Sequence, residues 1–440
     1  MARRKSIPRY VGGVITFAVA LLAVAATVRA PGASPASPSY IRAADSECGF
    51  FGGPWGPATA AYDPGRGEVF IADSETNHVY VLSAADDRIV ANISFGALCV
   101  NPFGVVYDPL THQILVSEIG GGGVALISDR TNNVTGFVNL TGGGPMFIAL
   151  DTGQNEVFST DVNGNISVPS LTTGSTVATI SSDKSGQPLS IAYSPALGDL
   201  FVANNGGQTA TISEISGTSD SVVATLSVNC NGPPPGGSLE LPLGILYDPD
   251  NGLVYTSFNL CGSLSEVDGT SGTQVGTLPL GGLSFGGALT YDNVTGTIWV
   301  SGWTQDILVG VSASNGQVVA QTPLPSEPGL GIAVDPSSGD VFVPLFKNQS
   351  VAIVAPDGDL VAVVPLPVAP TPGPPAPLPT YVVVLAILVP IAVIVAIWAV
   401  VVDVRRRESK YLQLSAWAPR SQENARPDRQ APPGPPSGPR

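Results

Sequence analysis

The sequence predicts an all-β fold, a seven-bladed β-propeller ectodomain, followed by a C-terminal transmembrane helix. Three observations predict it. A short unit recurs along the chain at a nearly constant interval, each copy divides into four β segments, and a charge-free apolar run lies close to the C-terminus.

The first 43 residues stand outside the repeats. Arg3, Arg4, Lys5 and Arg9 precede an apolar run from Val11 to Val28, and Ala30 follows as a small residue. This pattern fits a secretory signal peptide. The run is also nearly long enough to span a bilayer, so an uncleaved N-terminal anchor is the other reading. Both place the segment that follows outside the cell.

The repeats occupy 44–367. The unit is plainest in GILYDPDNGLVYTSF (Gly244–Phe258), FGVVYDPLTHQILVSE (Phe103–Glu118), AAYDPGRGEVFIAD (Ala60–Asp73) and LGIAVDPSSGDVFVPL (Leu330–Leu345). ALTYDNVTGTIWVSG, FIALDTGQNEVFSTD and SIAYSPALGDLFVAN complete a set of seven. Their turn residues are Asp63, Asp108, Asp151, Ser194, Asp248, Asp292 and Asp335, at intervals of 45, 43, 43, 54, 44 and 43. A period near 44 without helical periodicity marks a β repeat architecture. The first unit reads PATAAYD, EVFIAD, HVYVLSA and RIVANISF, joined by short turns. Four strands per 40–45 residues is the composition of a propeller blade. VFIA, VYVL and FVAN are apolar almost throughout, as strands covered on both faces are, whereas RIVANISF and NVTGFVNL are more polar and suit the outer rim. In DPDNG, Asp can accept a backbone N–H two residues on, Pro fixes φ, and Gly accepts a positive φ. A calcium-loop reading fails, because an EF-hand needs a twelve-residue loop ending in Glu between helices.

The inner strand with its DP turn, followed by VYVLSAADDRIVANISF (Val79–Phe95) or LVGVSASNGQVVAQTPL (Leu308–Leu324), resembles the YVTN-type repeat of YncE-like and archaeal surface-layer-associated proteins. The resemblance covers about 57–367. It implies a propeller and names no activity.

After the repeats, PLPVAPTPGPPAPLPT carries enough proline over 368–380 for a stiff polyproline II stalk. The 22 residues from Tyr381 to Val402 hold no charge. As a helix they would extend about 33 Å, against a hydrocarbon core of about 30 Å. Arg405, Arg406, Arg407 and Lys410 follow, which predicts a cytoplasmic C-terminus. The remainder, 403–440, is polar and Pro-rich and reads as a disordered tail. Of the chain's net charge of −15, residues 44–380 account for 5 Lys/Arg against 30 Asp/Glu. So acidic an ectodomain excludes nucleic-acid binding through phosphate neutralisation.

Six Asn-x-Ser/Thr triplets fit an extracellular glycoprotein: Asn92, Asn133, Asn139, Asn165, Asn293 and Asn348. None falls on an inner strand. The four cysteines suggest disulfides in an oxidising compartment. Cys48 and Cys99 precede the inner strands of blades one and two. Cys230 lies in the widened linker before blade five and Cys261 in that blade's second-to-third loop, all on one face. Of three possible connectivities this favours Cys48–Cys99 with Cys230–Cys261.

Catalytic motifs are scarce. His78 and His112, the only histidines, fall on opposite faces, and no P-loop or serine elbow appears. A Ser–His–Asp hydrolase is therefore excluded. Three places beyond the central apolar residue of each second strand, the copies read Asp73, Glu118, Asp161, Asn204, Phe258, Gly302 and Leu345. Four oxygen-bearing residues on adjacent blades could form a Ca²⁺ site at the channel mouth, or each could cap its own loop. The expected function is a non-enzymatic adhesion or surface-layer module anchored in the cell membrane, with an envelope protein or glycan as partner and no required cofactor. The alternative is a divalent-cation-dependent enzyme resembling lactonases or streptogramin-lyase-like proteins.

Overall fold

The computed structural model describes residues 56–95, 100–140, 142–181, 186–205, 210–230, 241–367 and 395–407. The chain divides into two compact units, Met1–Val368 and Ala369–Arg440. Among the described residues, the first unit holds seven four-stranded antiparallel sheets, each made from one contiguous stretch. These are the seven repeats, in order. The first blade comprises β1 (Pro57–Asp63), β2 (Glu68–Asp73), β3 (His78–Ser83) and β4 (Arg88–Ser94), running from axis to rim.

Burial explains the sequence pattern. β2 is buried at every position, while β4 alternates between exposed and covered residues until its last turn. The same contrast holds in blade five between Leu253–Phe258 and Thr273–Pro279. Seven apolar clusters form the core, and each joins two neighbouring blades. A propeller has no single core, because its sheets bury their faces only against one another.

The ring closes between the last blade and the first. Val69, Ile71, Tyr80 and Leu82 pack against Phe342, Val351, Ile353 and Val364. Leu330 N donates to Ala58 O (2.7 Å), and the Tyr80 hydroxyl donates to Pro367 O (2.6 Å). No strand is exchanged between the ends of the repeat region, since the closing sheet is built wholly from Ala333–Pro365.

The recurrent turn behaves as its chemistry predicts. Oδ1 of the opening aspartate accepts a backbone N–H two residues on at Asp63 (2.8 Å), Asp151 (2.7 Å), Asp248 (2.9 Å) and Asp335 (2.8 Å). Each hairpin ends in a left-handed residue, for example Gly67 (φ 66°). His112 takes that position in blade two (φ 57°), which identifies it as a turn residue; its Nδ1 lies 3.1 Å from Asp129. The tyrosine preceding the aspartate has a second task. Tyr62 faces Asp335 of the blade before it, Tyr107 faces Asp63, and Tyr193 faces Asp151, so the motif links blades as well as turning the chain. Burial, with the Asp63 and Asp129 charges beside it, pushes the Tyr107 phenol up to about 12.

A second, less legible device ties the inner ring. Most inner strands carry a bulge near their start, which leaves a backbone N–H without a ladder partner. A buried hydroxyl on the second strand takes it. Gly104 N donates to Ser117 Oγ (2.7 Å), Gly244 N to Ser257 Oγ (2.9 Å) and Ala288 N to Ser301 Oγ (2.8 Å). These hydroxyls also reach the next blade: Ser257 donates to Gly287 O (2.6 Å), Thr160 to Leu189 O (2.8 Å) and Ser117 to Met146 O. The inner strands approach so closely that a Cβ at Gly244 would collide with Gly287 O.

The second unit contributes a helix over 395–407. Among the described residues no helix is long and apolar enough to cross a membrane. Only 395–402 of the expected span is described. The N-terminal segment, the stalk and the tail beyond Arg407 lie outside the described residues.

Candidate functional site at the channel mouth

The strongest candidate site is a hollow of about 260 Å³ at one end of the central channel. All seven blades contribute to its wall. Each does so through the first residues of its inner strand or those just past its second strand. These segments lie side by side at that face because consecutive strands are antiparallel. Phe103, Met146, Leu189, Leu243, Trp303 and Leu330 give the wall its apolar character. Phe103 is 2% exposed and packs edge-on against Phe147, with ring centroids 5.2 Å apart.

Three of the four residues of the predicted oxygen column lie behind this wall. Asp73, Glu118, Asp161 and Asn204 are all buried, and of the four only Asp161 lines the hollow. Each is engaged locally. Asp73 Oδ1 accepts from Glu75 N (3.0 Å) and Thr76 N (3.1 Å). Asp161 Oδ1 accepts from Asn163 N (2.8 Å) and Asn165 N (2.9 Å). Asn204 Nδ2 donates to Thr211 Oγ1 (3.2 Å) and Ser213 Oγ (2.8 Å). The Glu118 carboxylate folds over Gly121, where a Cβ would collide with its Oε2. Asp73 and Asp161 thus cap their own loops, whereas Asn204 ties its strand to the next. Among the described residues no three His, Cys, Asp or Glu side chains group as a metal site would require.

The wall itself comes from the position one further along. Ser74, Ile119, Val162, Asn205 and Trp303 occupy it. The sequence signal for it was the same repeat alignment read four places beyond the central apolar residue. These residues lie at or just past the end of the second strand, and in blade three both positions, Asp161 and Val162, reach the hollow.

Burial raises the carboxyl groups of both Asp73 and Asp161 above their usual range, and Asp73 reaches about 6. Backbone N–H groups oppose the rise in each case. Asp161 is the one titratable residue among the described lining residues. His78 opens the third strand of blade one and His112 ends a hairpin turn, so neither belongs to this wall.

A disulfide joins Cys230 to Cys261, with 6.3 Å between their Cα atoms. It links the linker before blade five to that blade's second-to-third loop, on the mouth side. Cys48 and Cys99 lie outside the described residues. Asn92, Asn133, Asn139, Asn293 and Asn348 are exposed, whereas Asn165 opens a third strand, is half-buried and gives its N–H to Asp161.

No family model matches the chain, and no curated protein matches it. Solved structures do. Hydrazine synthase from Kuenenia stuttgartiensis superposes with a TM-score of 0.60 at 13% identity, over 73% of this chain and 100% of that one. The WD40 β-propeller domain of Doa1 gives 0.52 at 16% identity, over 66% of this chain and 89% of that one. At these identities the likeness concerns the fold. The chain folds as a seven-bladed β-propeller.

Proposed function

We propose that this chain is a membrane-anchored binding module of YVTN-repeat type that presents its propeller at the cell surface and engages an envelope protein or glycan without turning it over. The observation that carries the binding role is the apolar hollow walled by every blade, with a single carboxylate and no acid–base pair among its described lining residues. Concave, largely apolar sites with few polar groups are binding sites by default. The cation-dependent enzyme reading needs several oxygens converging on one ion, and Asp161 is the single carboxylate among the described lining residues.

Surface placement draws on the N-terminal apolar segment, the stalk and the uncharged run at 381–402. The described helix adds support: Val395, Ile397, Trp398 and Val400 are each more than half exposed, and such side chains are stable in lipid rather than water. The acidic, triplet-bearing ectodomain suits the same compartment.

The test is quantitative capture from envelope extract by the full chain, with Trp303→Ala at the mouth and Leu110→Ala on the opposite face, where Leu110 is 61% exposed. A partner retained by the wild type and by Leu110→Ala but lost with Trp303→Ala supports the reading. A partner indifferent to Trp303→Ala refutes the mouth as its site.

A further inference from the structure

We infer that the hollow selects ligands carrying a primary ammonium group on a compact apolar stem, and that Asp161 receives the ammonium. The inference rests on the binding-module reading and specifies its ligand chemistry.

Three observations lead to it. Asp161 lines the hollow, is 2% exposed, and its Oδ2 makes no hydrogen bond. Its other oxygen is already held by Asn163 N and Asn165 N, so Oδ2 is the acceptor left to the carboxylate. Around it the wall is apolar, with Met146, Val162, Pro188 and Leu189 among its neighbours on blades three and four.

A buried carboxylate oxygen without a partner is costly, and a donor that reaches it recovers that cost. A cation recovers more than a neutral donor, because charge-assisted hydrogen bonds are about twice as strong. A divalent metal ion is a poor match, since Ca²⁺ takes about six to eight oxygens, and Asp161 is the single carboxylate among the described lining residues. Most of the other polar lining groups have backbone partners: Ser74 Oγ donates to Pro102 O (3.1 Å), Asn101 Nδ2 to Ser74 O (3.1 Å) and Gln187 Nε2 to Val162 O (3.4 Å). The volume of about 260 Å³ accommodates a group the size of a large side chain. The backbone at Gly142 (φ 138°) passes beside the open oxygen, where an added Cβ would lie 3.3 Å from Oδ2, so a side chain there would crowd the acceptor.

The ammonium could come from a free amine or from a lysine of a partner protein, and the probes separate the two. Full-length protein in lipid nanodiscs is titrated calorimetrically with phenethylammonium chloride, N-acetyl-lysinamide, 2-phenylethanol and calcium chloride. At least one ammonium probe is expected to bind with unit stoichiometry and about tenfold or more tighter than 2-phenylethanol. The tighter of the two identifies the source. Asp161→Asn keeps an oxygen for the loop cap and should reduce the ammonium probe to the level of the alcohol, with the melting transition showing that the fold survives. Equal binding of ammonium and alcohol would overturn the amine assignment while leaving the hollow a binding site. Binding by none of the probes, tight binding of calcium, or an ammonium preference that persists in Asp161→Asn would each overturn it too. The envelope-capture experiment decides the broader reading separately.

Discussion

Ser257→Ala tests how the inner ring is held. Ser257 is fully buried; its hydroxyl accepts from Gly244 N at 2.9 Å and donates to Gly287 O at 2.6 Å. Removing the oxygen strips one partner from a buried N–H in blade five and one from a buried carbonyl in blade six. Each group left unsatisfied costs about 1–2 kcal/mol at the lower end of the usual range, so the substitution should cost about 2–4 kcal/mol, with a small void included. With an unfolding entropy of about 2.1 cal/mol/K per residue over roughly 300 residues, that lowers Tm by about 3–6 °C. Calorimetry of the full chain reads the shift. Ser219→Ala is the control, since that hydroxyl is exposed and meets only Ser221 Oγ. If Ser257→Ala melts with the control, the hydroxyl does not hold the ring.

Two further outcomes are expected. Replacing Cys230 and Cys261 by serine opens a loop of 31 residues, which on the chain-entropy estimate costs about 3–4 kcal/mol and should lower Tm by several degrees; an unchanged melting curve would show that the bridge is dispensable. Asp73 concerns pH. Burial lifts its carboxyl to about 6 in the folded protein, against an ordinary value near 3.9. From about pH 4 to pH 6 the unfolded chain releases this proton while the folded chain keeps it, so the contribution of Asp73 to stability is present below about pH 4 and lost as pH rises through about 6. Asp73→Asn retains an acceptor for Glu75 N and Thr76 N, and should stabilise by about 2–3 kcal/mol at pH 7 but hardly at all at pH 4. A gain of equal size at both values would refute the burial argument.

The repeat period alone set the number of blades, because each unit of about 44 residues contains four strands and cannot bury its faces without neighbours. The hairpin turns were equally legible: Asp63 and its counterparts act on a backbone N–H only two residues away, and local geometry needs no tertiary partner. Buried middle strands followed from continuous apolar runs such as EVFIAD. What faces the channel was decided by the tertiary structure. Of the oxygen column, Asp73, Glu118 and Asn204 sit behind the wall, whereas Asp161 lines it beside Ser74, Ile119, Val162, Asn205 and Trp303. Repeat alignment supplies the register along the strand but not which side of a twisted sheet meets the axis. The bulges that reset the inner strands, and the Ser117 and Ser257 hydroxyls that fill them, were hidden for a related reason. A buried serine looks like any other until the next blade brings a carbonyl to within hydrogen-bonding distance, and that distance exists only when the ring is closed.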